Sequence, residues 1–194
     1  MSGNVWFTSD AHFGHRLVAG IRGFDSAEEH DTAIVTNFAA RVHSSDHVWW
    51  LGDMTVSRPE PAFEALAQIP GTHHLVTGNH DKVSAVHRDA HKWQRVYMEH
   101  FASVANIARR RIAGRNVLMS HFPYDTDDGQ ADRGEVRYQQ FRLPDLGDWL
   151  LHGHTHMGGQ RQHGRQIHVG LDAWDLAPVN LWDIENLITQ EEAR

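Results

Sequence analysis

The chain has 194 residues, no cysteine, and a formal net charge of −7 from 18 basic and 25 acidic side chains. The missing cysteines exclude disulfides, zinc–thiolate sites and thiol catalysis, and the acidic balance disfavours duplex nucleic acid as a partner. The length predicts a single domain over residues 1–194, no apolar run approaches the ~18 residues of a membrane span, and we expect a cytoplasmic protein.

In the first half of the chain, apolar runs alternate with segments of helical periodicity. Ser26 and Glu29 have the spacing of a capping box, which marks the start of a helix, and Pro59 marks another start. Short runs of β-branched and aromatic residues predict strands. The expected elements are a strand over 5–9, a helix over 27–42, a strand over 47–51, a helix from 57 to Pro70 and a strand over 74–77.

The second half predicts more strands than helices. The basic run Arg109–Arg111 is interpreted as a solvated segment in a turn region rather than a phosphate patch. The expected elements are a helical or irregular stretch over 83–100, strand pieces over 101–112, a hairpin turn over 113–116, a strand over 117–120, a polar loop over 125–134, a strand over 149–152 and closing strands over 166–170 and 179–184.

A polar motif follows each of five apolar runs. In layered α/β folds the loops at strand ends gather into one crevice, so motifs that lie far apart in sequence are expected to meet there. The five motifs are Asp10-Ala-His12-Phe-Gly-His15, Gly52-Asp53, Gly78-Asn79-His80-Asp81, Ser120-His121 and Gly153-His154-Thr-His156.

Two of these motifs contain metal-ligand types two residues apart. Asp10 and His12 would point the same way in an extended segment, so both could bind one cation. His154 and His156 have the same spacing and could serve one metal each or share one. The glycines before the polar residues fit sharp turns that present the next side chain inward.

The remaining motifs add ligands for a second cation. Asp53 carries two oxygens and could bridge two metals, and Asn79 offers a neutral carbonyl oxygen. Two divalent cations held in this way can carry a hydroxide and clamp a phosphoryl oxygen for in-line attack. The mixed nitrogen and oxygen ligand set suits Mn, Fe, Ni, Co or Zn.

The motifs, in this order, resemble the signature of the calcineurin-like metallophosphoesterases, and the resemblance extends over essentially the whole chain. It is strongest to small stand-alone bacterial and phage members. The resemblance implies an α/β fold, namely a four-layer αββα sandwich of two mixed β-sheets with the site at the C-terminal ends of the strands.

The resemblance also implies a role for each motif residue. His80 would be catalytic and would not bind metal, lying beside the leaving group as proton donor or charge stabiliser. The implied ligands are Asp10, His12 and His156 for the first metal, Asn79, His121 and His154 for the second, and Asp53 as the bridge between them.

The implied activity is dinuclear metal-dependent hydrolysis of a phosphate ester by a metal-bridging hydroxide. The Gly-Asn-His-Asp81 motif favours a phosphodiesterase over the protein Ser/Thr phosphatase branch. The expected cofactors are two divalent ions, Mn or Fe first and Zn, Ni or Co as alternatives. The expected partner is a small phosphate ester, with nucleotides among the candidates. A phosphomonoesterase, a pyrophosphohydrolase, a non-catalytic metal-binding scaffold and a homodimer stay open.

Other chemistry-bearing residues receive ordinary interpretations. His15 packs locally or contacts substrate, His74 is a strand residue, and the roles of His168 and Asp172 stay open. Substrate loops are expected over 13–25, 55–60 and 122–140, the last with Arg133 and Arg137 as surface arginines. Histidines in polar surroundings are interpreted as surface residues, namely His43, His47, His87, His91, His100 and His163.

Overall fold

The computed structural model describes residues 3–124, 137–160 and 164–193. Within these ranges the chain forms nine strands and five α-helices. The strands are β1 (Val5–Thr8), β2 (His47–Trp50), β3 (Thr72–Val76), β4 (Ser103–Ala105), β5 (Ala108–Ile112), β6 (Arg115–Met119), β7 (Trp149–His152), β8 (Gln166–His168) and β9 (Val179–Asn180). The helices are α1 (Arg16–Ile21), α2 (Ala27–Ala39), α3 (Glu60–Leu66), α4 (Ala90–Met98) and α5 (Leu181–Glu192).

The strands form two mixed sheets. The first has the order β4-β3-β2-β1-β9, in which β9 alone runs antiparallel to its neighbour. The second has the order β5-β6-β7-β8, in which β5 is the antiparallel strand. Helices flank the sheets, so the expected α/β class with two mixed sheets is confirmed.

Alternation along β1 divides the core into two layers. Trp6 faces a cluster formed with α2, α3 and α4, whereas Phe7, fully buried, faces a cluster between the two sheets. Successive side chains of a strand point to opposite faces, which produces this division. The cluster between the sheets includes Leu51, Val76, Val117, Met119, Trp149, Leu151 and Ile167.

The start of α2 has the predicted Ser26 cap, with the Glu29 bond shifted by one residue from the usual capping box. The Ser26 hydroxyl accepts a hydrogen bond from the Glu29 N–H at 3.1 Å, and the Glu29 carboxylate accepts one from the Asp25 N–H at 3.1 Å. Ile34 and Phe38, one turn apart, are both fully buried against the first sheet. The helix ends at Ala39, three residues before the expected end.

The closing strand predicted over 179–184 is wrong beyond its first two residues. The side chain of Asn180 accepts a hydrogen bond from the Asp183 N–H at 2.9 Å and caps α5. Ile184 and Ile188, four residues apart, are the buried face of this helix and pack between the sheets. Helical spacing therefore outweighs the β-like composition of this segment. None of the described helices is long and apolar enough to cross a membrane.

Three further expectations need adjustment. Residues 16–21, expected as loop, form α1, and α4 occupies only 90–98 of the helical or irregular stretch. The basic run Arg109–Arg111 lies in β5 rather than in a turn region, because β5 pairs with β6 across the turn at Ala113 and Gly114. The polar loop over 125–134 lies outside the described residues.

The two sheets meet where β1 ends. Ser9 forms a parallel bridge with Gly170, and its carbonyl accepts the Leu171 N–H at 3.1 Å. On the other side, the Asp10 N–H donates to the Gly52 carbonyl at 3.0 Å. The loops that follow β1, β2, β3, β6 and β7 therefore gather at one edge of the molecule.

Candidate metal centre

Left-handed backbone turns aim the polar motif residues into the crevice. Asp10, His12, Asp53, His154 and His156 have φ values of 60°, 50°, 55°, 72° and 55°. The expected extended geometry is therefore wrong for both residue pairs, although all four side chains still face the crevice. This conformation is strained for residues with a β-carbon. Aspartate and histidine nevertheless adopt it more often than most other residues.

Two glycines allow the loops to approach one another. Gly52 has a φ of +89°, a conformation that suits a residue without a β-carbon. A β-carbon on Gly153 would overlap the Ser9 side chain and the Asp10 carboxylate. A β-carbon on Gly52 would overlap the Gly78 backbone and the His121 ring. Glycine therefore lets the loop after β2 approach the loops after β3 and β6, and lets the loop after β7 approach the loop after β1.

Asp10, His12 and His156 form a first group in which the ligand atoms lie within 4.8 Å of one another. The His12 and His156 Nε2 atoms are 3.1 Å apart, and His156 Nε2 is 3.8 Å from Asp10 Oδ1. Asp10 and His12 are buried, whereas the His156 side chain is 39% exposed. The group is thus open to solvent on one side.

Asp53, His121 and His154 form a second group of the same size. His121 Nε2 is 3.4 Å from Asp53 Oδ2 and 3.2 Å from His154 Nδ1. The Asn79 amide oxygen is 3.2 Å from the same His121 nitrogen. His154 and His156, whose spacing allowed one metal each or a shared one, are therefore divided between the two groups, as the resemblance implies.

Asp53 faces both groups. Its Oδ2 lies 3.4 Å from His121 Nε2 in the second group and 3.9 Å from His12 Nε2 in the first. Its Oδ1 accepts the His80 N–H at 2.9 Å, which fixes the orientation of the carboxylate. All seven residues that the resemblance implies as ligands are thus brought into one crevice.

Hydrogen bonds behind two imidazoles fix which nitrogen faces the crevice. His121 Nδ1 donates to the Leu51 carbonyl at 2.8 Å, and His156 Nδ1 donates to Asp172 Oδ2 at 2.9 Å. In both residues Nε2 is left pointing toward the candidate site. Such outer partners orient metal-binding imidazoles in proteins.

Burial keeps two of the imidazoles neutral near pH 7. Burial lowers the pKa of His12 to about 4. Burial, followed by the charge of His121, lowers the pKa of His154 to about 3. A cation needs the neutral form of imidazole, so these two side chains are ready to bind one.

The Asp53 carboxylate has the opposite effect on His121. Burial would lower the pKa of His121, but the charge of Asp53 and its hydrogen bond to the ring raise that pKa to about 9. Burial would likewise raise the pKa of Asp53, yet the interactions with His121 hold it well below its usual value. The pair is an ionised carboxylate beside an imidazolium when no cation competes with the proton.

Arg22 and Asp172 form a half-buried ion pair directly behind the first group. Arg22 Nε and one terminal nitrogen donate to the two Asp172 oxygens, each at 2.8 Å. The same terminal nitrogen donates to the Asp10 carbonyl at 2.8 Å. Asp172 therefore has a clear place, as the partner of His156. Arg22 was not anticipated, since no motif marks an arginine whose partner is 150 residues away.

Asp81 joins the two loops that carry the second group. Its carboxylate accepts hydrogen bonds from the backbone N–H groups of Asp53 at 3.0 Å, Met54 at 3.1 Å and Gly78 at 2.8 Å. The residue is fully buried. The last position of the Gly-Asn-His-Asp motif is thus a clamp between the loops after β2 and β3.

His80 projects into the open part of the crevice. Its side chain is 39% exposed, and its Nε2 lies 3.9 Å from Asp53 Oδ2. It belongs to neither candidate metal group. It therefore lies beside the two groups without joining either, and its catalytic role stays a prediction.

The crevice opens into a cleft of about 520 Å³. His15 accepts the Val18 N–H at 3.3 Å as the cap of α1, so it packs locally. It also lines this cleft, and a contact with substrate stays a prediction. All three expected substrate loops reach the cleft. Their lining residues include Leu17, Val18, Ile21, Val56, Arg137 and Tyr138.

The remaining histidines are divided between surface and core. His43, His47, His91 and His100 are exposed as expected, whereas His87 is half-buried. Arg133 and His163 lie outside the described residues. His74 is a half-buried residue of β3 as expected, and its ring stacks on Trp49 at 4.5 Å. Among the described residues, four further histidines are buried outside the candidate groups, namely His30, His73, His152 and His168.

Comparison with known proteins was consistent with this geometry. Residues 4–171 match the model of the calcineurin-like phosphoesterase superfamily domain. The chain is 40% identical over 205 residues to the Gene 66 protein of Mycobacterium phage L5, covering 97% of each chain. It is 40% identical over 189 residues to the Gene 66 protein of Mycobacterium phage D29, covering 91% of this chain and 92% of that one.

A solved structure shows the same fold. The protein AQ665 of Aquifex aeolicus, described as of unknown function, superimposes with a TM-score of 0.66 at 22% identity. The match covers 95% of this chain and 99% of that one. The likeness therefore extends over both sheets.

Proposed function

Since the chain belongs to the calcineurin-like phosphoesterase superfamily, we propose that it is a dinuclear metal-dependent phosphodiesterase. The observation that carries the proposal is the convergence of two groups of ligand types on Asp53, each group with a carboxylate and two imidazoles. In this proposal Asp10, His12 and His156 hold one cation. Asn79, His121 and His154 hold the other, with Asp53 between them.

The donor atoms fit divalent cations. The two Nε2 atoms of His12 and His156, 3.1 Å apart, have the separation of two ligands that bind one cation at about 2.1 Å each and near a right angle. His121 Nε2 and His154 Nδ1, 3.2 Å apart, have the same separation. Mixed imidazole, carboxylate and amide donors suit Mn or Fe, with Zn, Ni and Co as alternatives.

The residues around the groups support phosphoryl chemistry. Two bound divalent cations would lower the pKa of water and offset the charge of the phosphoryl oxygens. Asp10 and Asp53 contribute two negative charges, so the loaded site would remain positive and attract an anionic ester although the chain is acidic overall. The ring of His80, free to face the cleft, would donate a proton to the departing alkoxide.

The Gly-Asn-His-Asp81 motif favours a diester, because it matches the phosphodiesterase branches. The cleft is larger than a phosphate needs, so it has room for an organic alcohol on the phosphoryl group. His80 can supply the proton for that leaving alcohol. The expected partner is a small phosphate ester, with nucleotides among the candidates, and the expected location is the cytoplasm.

Substitution of Asp53 by Asn tests the proposal. An amide has one oxygen donor and no negative charge, so it cannot bridge two cations as a carboxylate can. We therefore expect Asp53→Asn to lose bound metal and to lose the hydrolysis of bis(p-nitrophenyl) phosphate. Asp89→Asn, at an exposed position in an ion pair with Lys92, is the matched control and should retain both. Full turnover by Asp53→Asn would refute the bridging role.

His80→Ala tests whether His80 acts as the general acid or as a metal ligand. The variant should retain its full metal content but lose about 10²–10⁴-fold in turnover, as is typical for removal of a general acid. His91→Ala, exposed on α4, is the control. Parallel assays of p-nitrophenyl phosphate and the diester decide between the monoesterase and diesterase alternatives. Metal loss in His80→Ala would mean that His80 is a ligand.

A further inference from the structure

Helix α1 presents two large apolar side chains to solvent at the rim of the cleft. Leu17 is 68% exposed and Ile21 is 75% exposed, and both line the cleft that contains His12, His80 and His156. The two residues are four apart, so they lie on the same face of the helix. The opposite side of α1 contributes the buried Ala19.

The apolar surface continues from the helix into the cleft. Val18 and Val56 line the same cavity, and the ring of Tyr138 lines it as well. The Tyr138 ring is held by contacts with Phe122 at 5.3 Å and with His154 at 6.1 Å. The cleft therefore combines a floor of metal-ligand types with an apolar side, which is the usual composition of a site for an organic ligand.

The apolar side is held at a fixed position relative to the candidate metal centre. At one end of α1, His15 caps the helix, three residues after His12. At the other end, Arg22 donates to the Asp10 carbonyl and to both Asp172 oxygens. The Gly14 N–H also donates to Asp31 at 2.7 Å. Helix α1 is therefore anchored to the loop that carries Asp10 and His12.

A purely inorganic or highly polar substrate would leave Leu17 and Ile21 in water. The cavity of about 520 Å³ lies within the ~300–1,000 Å³ range typical of small-molecule sites. An ester whose phosphoryl group sits at the metal groups would have room to extend one substituent along α1. Burial of apolar surface there would add to binding in proportion to the area removed from water.

We propose that Leu17 and Ile21 form a substrate subsite that binds an aryl-sized apolar substituent of the phosphate ester. The proposal rests on the function proposed above, since it uses the phosphoryl position at the metal groups. It names the substrate class as phosphodiesters in which one alcohol carries a flat or branched apolar group. The subsite determines specificity and takes no part in bond cleavage.

A pair of phosphinates that share a head group and cannot be hydrolysed tests the subsite, because a phosphinate with two carbon substituents mimics a phosphodiester. The probes are dimethylphosphinate and methyl(1-naphthylmethyl)phosphinate, titrated by calorimetry into the full-length, Mn-loaded protein. We expect the naphthyl compound to bind at least about tenfold more tightly, because its ring system is buried against α1. In Leu17→Ser/Ile21→Ser the preference should disappear while the affinity for dimethylphosphinate is unchanged.

Leu146→Ser is the matched control, because Leu146 is 88% exposed and lies away from the cleft. It should retain the naphthyl preference, and thermal unfolding should show that all variants are folded. Equal binding of both probes by the unmodified protein, or a preference that survives the double substitution, would overturn the subsite. A naphthyl preference without any ester hydrolysis would uphold the subsite and reject the proposed activity.

Discussion

The contact between Asp172 and His156 has energetic consequences at the scale of single residues. The carboxylate accepts from His156 Nδ1 at 2.9 Å and is itself held by Arg22. Arg22, supported by the hydrogen bond to His156, lowers the pKa of Asp172 despite its burial, so the carboxylate stays charged. An anionic partner fixes the tautomer of the ring and raises its basicity toward a cation.

Asp172→Asn should therefore weaken metal binding without unfolding the protein. Loss of an outer-shell partner typically costs about 10–100-fold in metal affinity. We expect a loss of that size for the cation near His156 and little change for the other, measured by titration with a metal indicator. Asp175→Asn, exposed three residues later, should behave like the unmodified protein. An equal loss at both sites would indicate a general effect on folding.

Metal binding should release protons near neutral pH. Without a cation, Asp53 keeps His121 protonated, with a pKa of about 9, and the Asp172 hydrogen bond raises the pKa of His156 against the effect of burial. A ligand imidazole must be neutral, so each of these protons competes with the metal. Metal affinity should therefore rise with pH and level off above about 9.

Calorimetry in buffers of different ionisation enthalpy measures this release. At pH 7 we expect about one proton from His121 and a further fraction from His156, whereas His12 and His154 are already neutral and contribute none. The slope of log affinity against pH should then be about one or more. A pH-independent affinity between pH 6 and 8 would contradict the assignment of His121 as a ligand.

At the scale of elements, α5 links the two sheets. It contacts β1 and β9 of the first sheet and β5 of the second. Its first turn depends on the Asn180 side chain, which accepts the Asp183 N–H at 2.9 Å. A cap of this kind satisfies one of the free N–H groups at a helix start.

Asn180→Ala should reduce the free energy of unfolding by about 1 kcal/mol. For a protein of this size that corresponds to about 2–4 °C in the unfolding temperature. Gln190→Ala, exposed near the end of the same helix, is the control and should change little. Because Asn180 is also the last residue of β9, a loss well above the cap value would show that it stabilises the sheet edge as well.

Elements with strong local signals were predictable from the sequence. The capping box of α2 and the strands before the polar motifs appear close to the expected bounds. The helix over 181–192 has local signals, namely the cap residue Asn180 and the four-residue spacing of Ile184 and Ile188, but the β-like composition of 179–184 outweighs them until the space between the sheets is known. Local composition cannot reveal a partner surface that is distant in the chain.

At the scale of the molecule, the candidate site is an assembly of loops from both sheets. The motif order was enough to predict that the seven ligand types meet, because strand ends converge in this fold class. The half-buried Arg22–Asp172 pair and the apolar side formed by α1 depend on distances across the fold, and so no sequence motif reveals them.

Cations that bridge these loops should stabilise the whole fold. A ligand that binds only the native state adds about 2.7 kcal/mol when its concentration is a hundredfold above Kd. We therefore expect the unfolding temperature to rise by several degrees on addition of Mn and to fall when a chelator removes it. Asp53→Asn should show no such rise, and a rise of the same size in that variant would place the stabilising ion elsewhere.

The left-handed turns at Asp10, His12, Asp53, His154 and His156 orient these side chains at the expense of the stability of the fold. Each such residue costs on the order of 1–2 kcal/mol, and glycine would not have this conformational strain. A library selected for heat resistance alone, in a chelating medium, should therefore drift toward glycine at these five positions. The selected variants would be more stable proteins that no longer bind a metal ion.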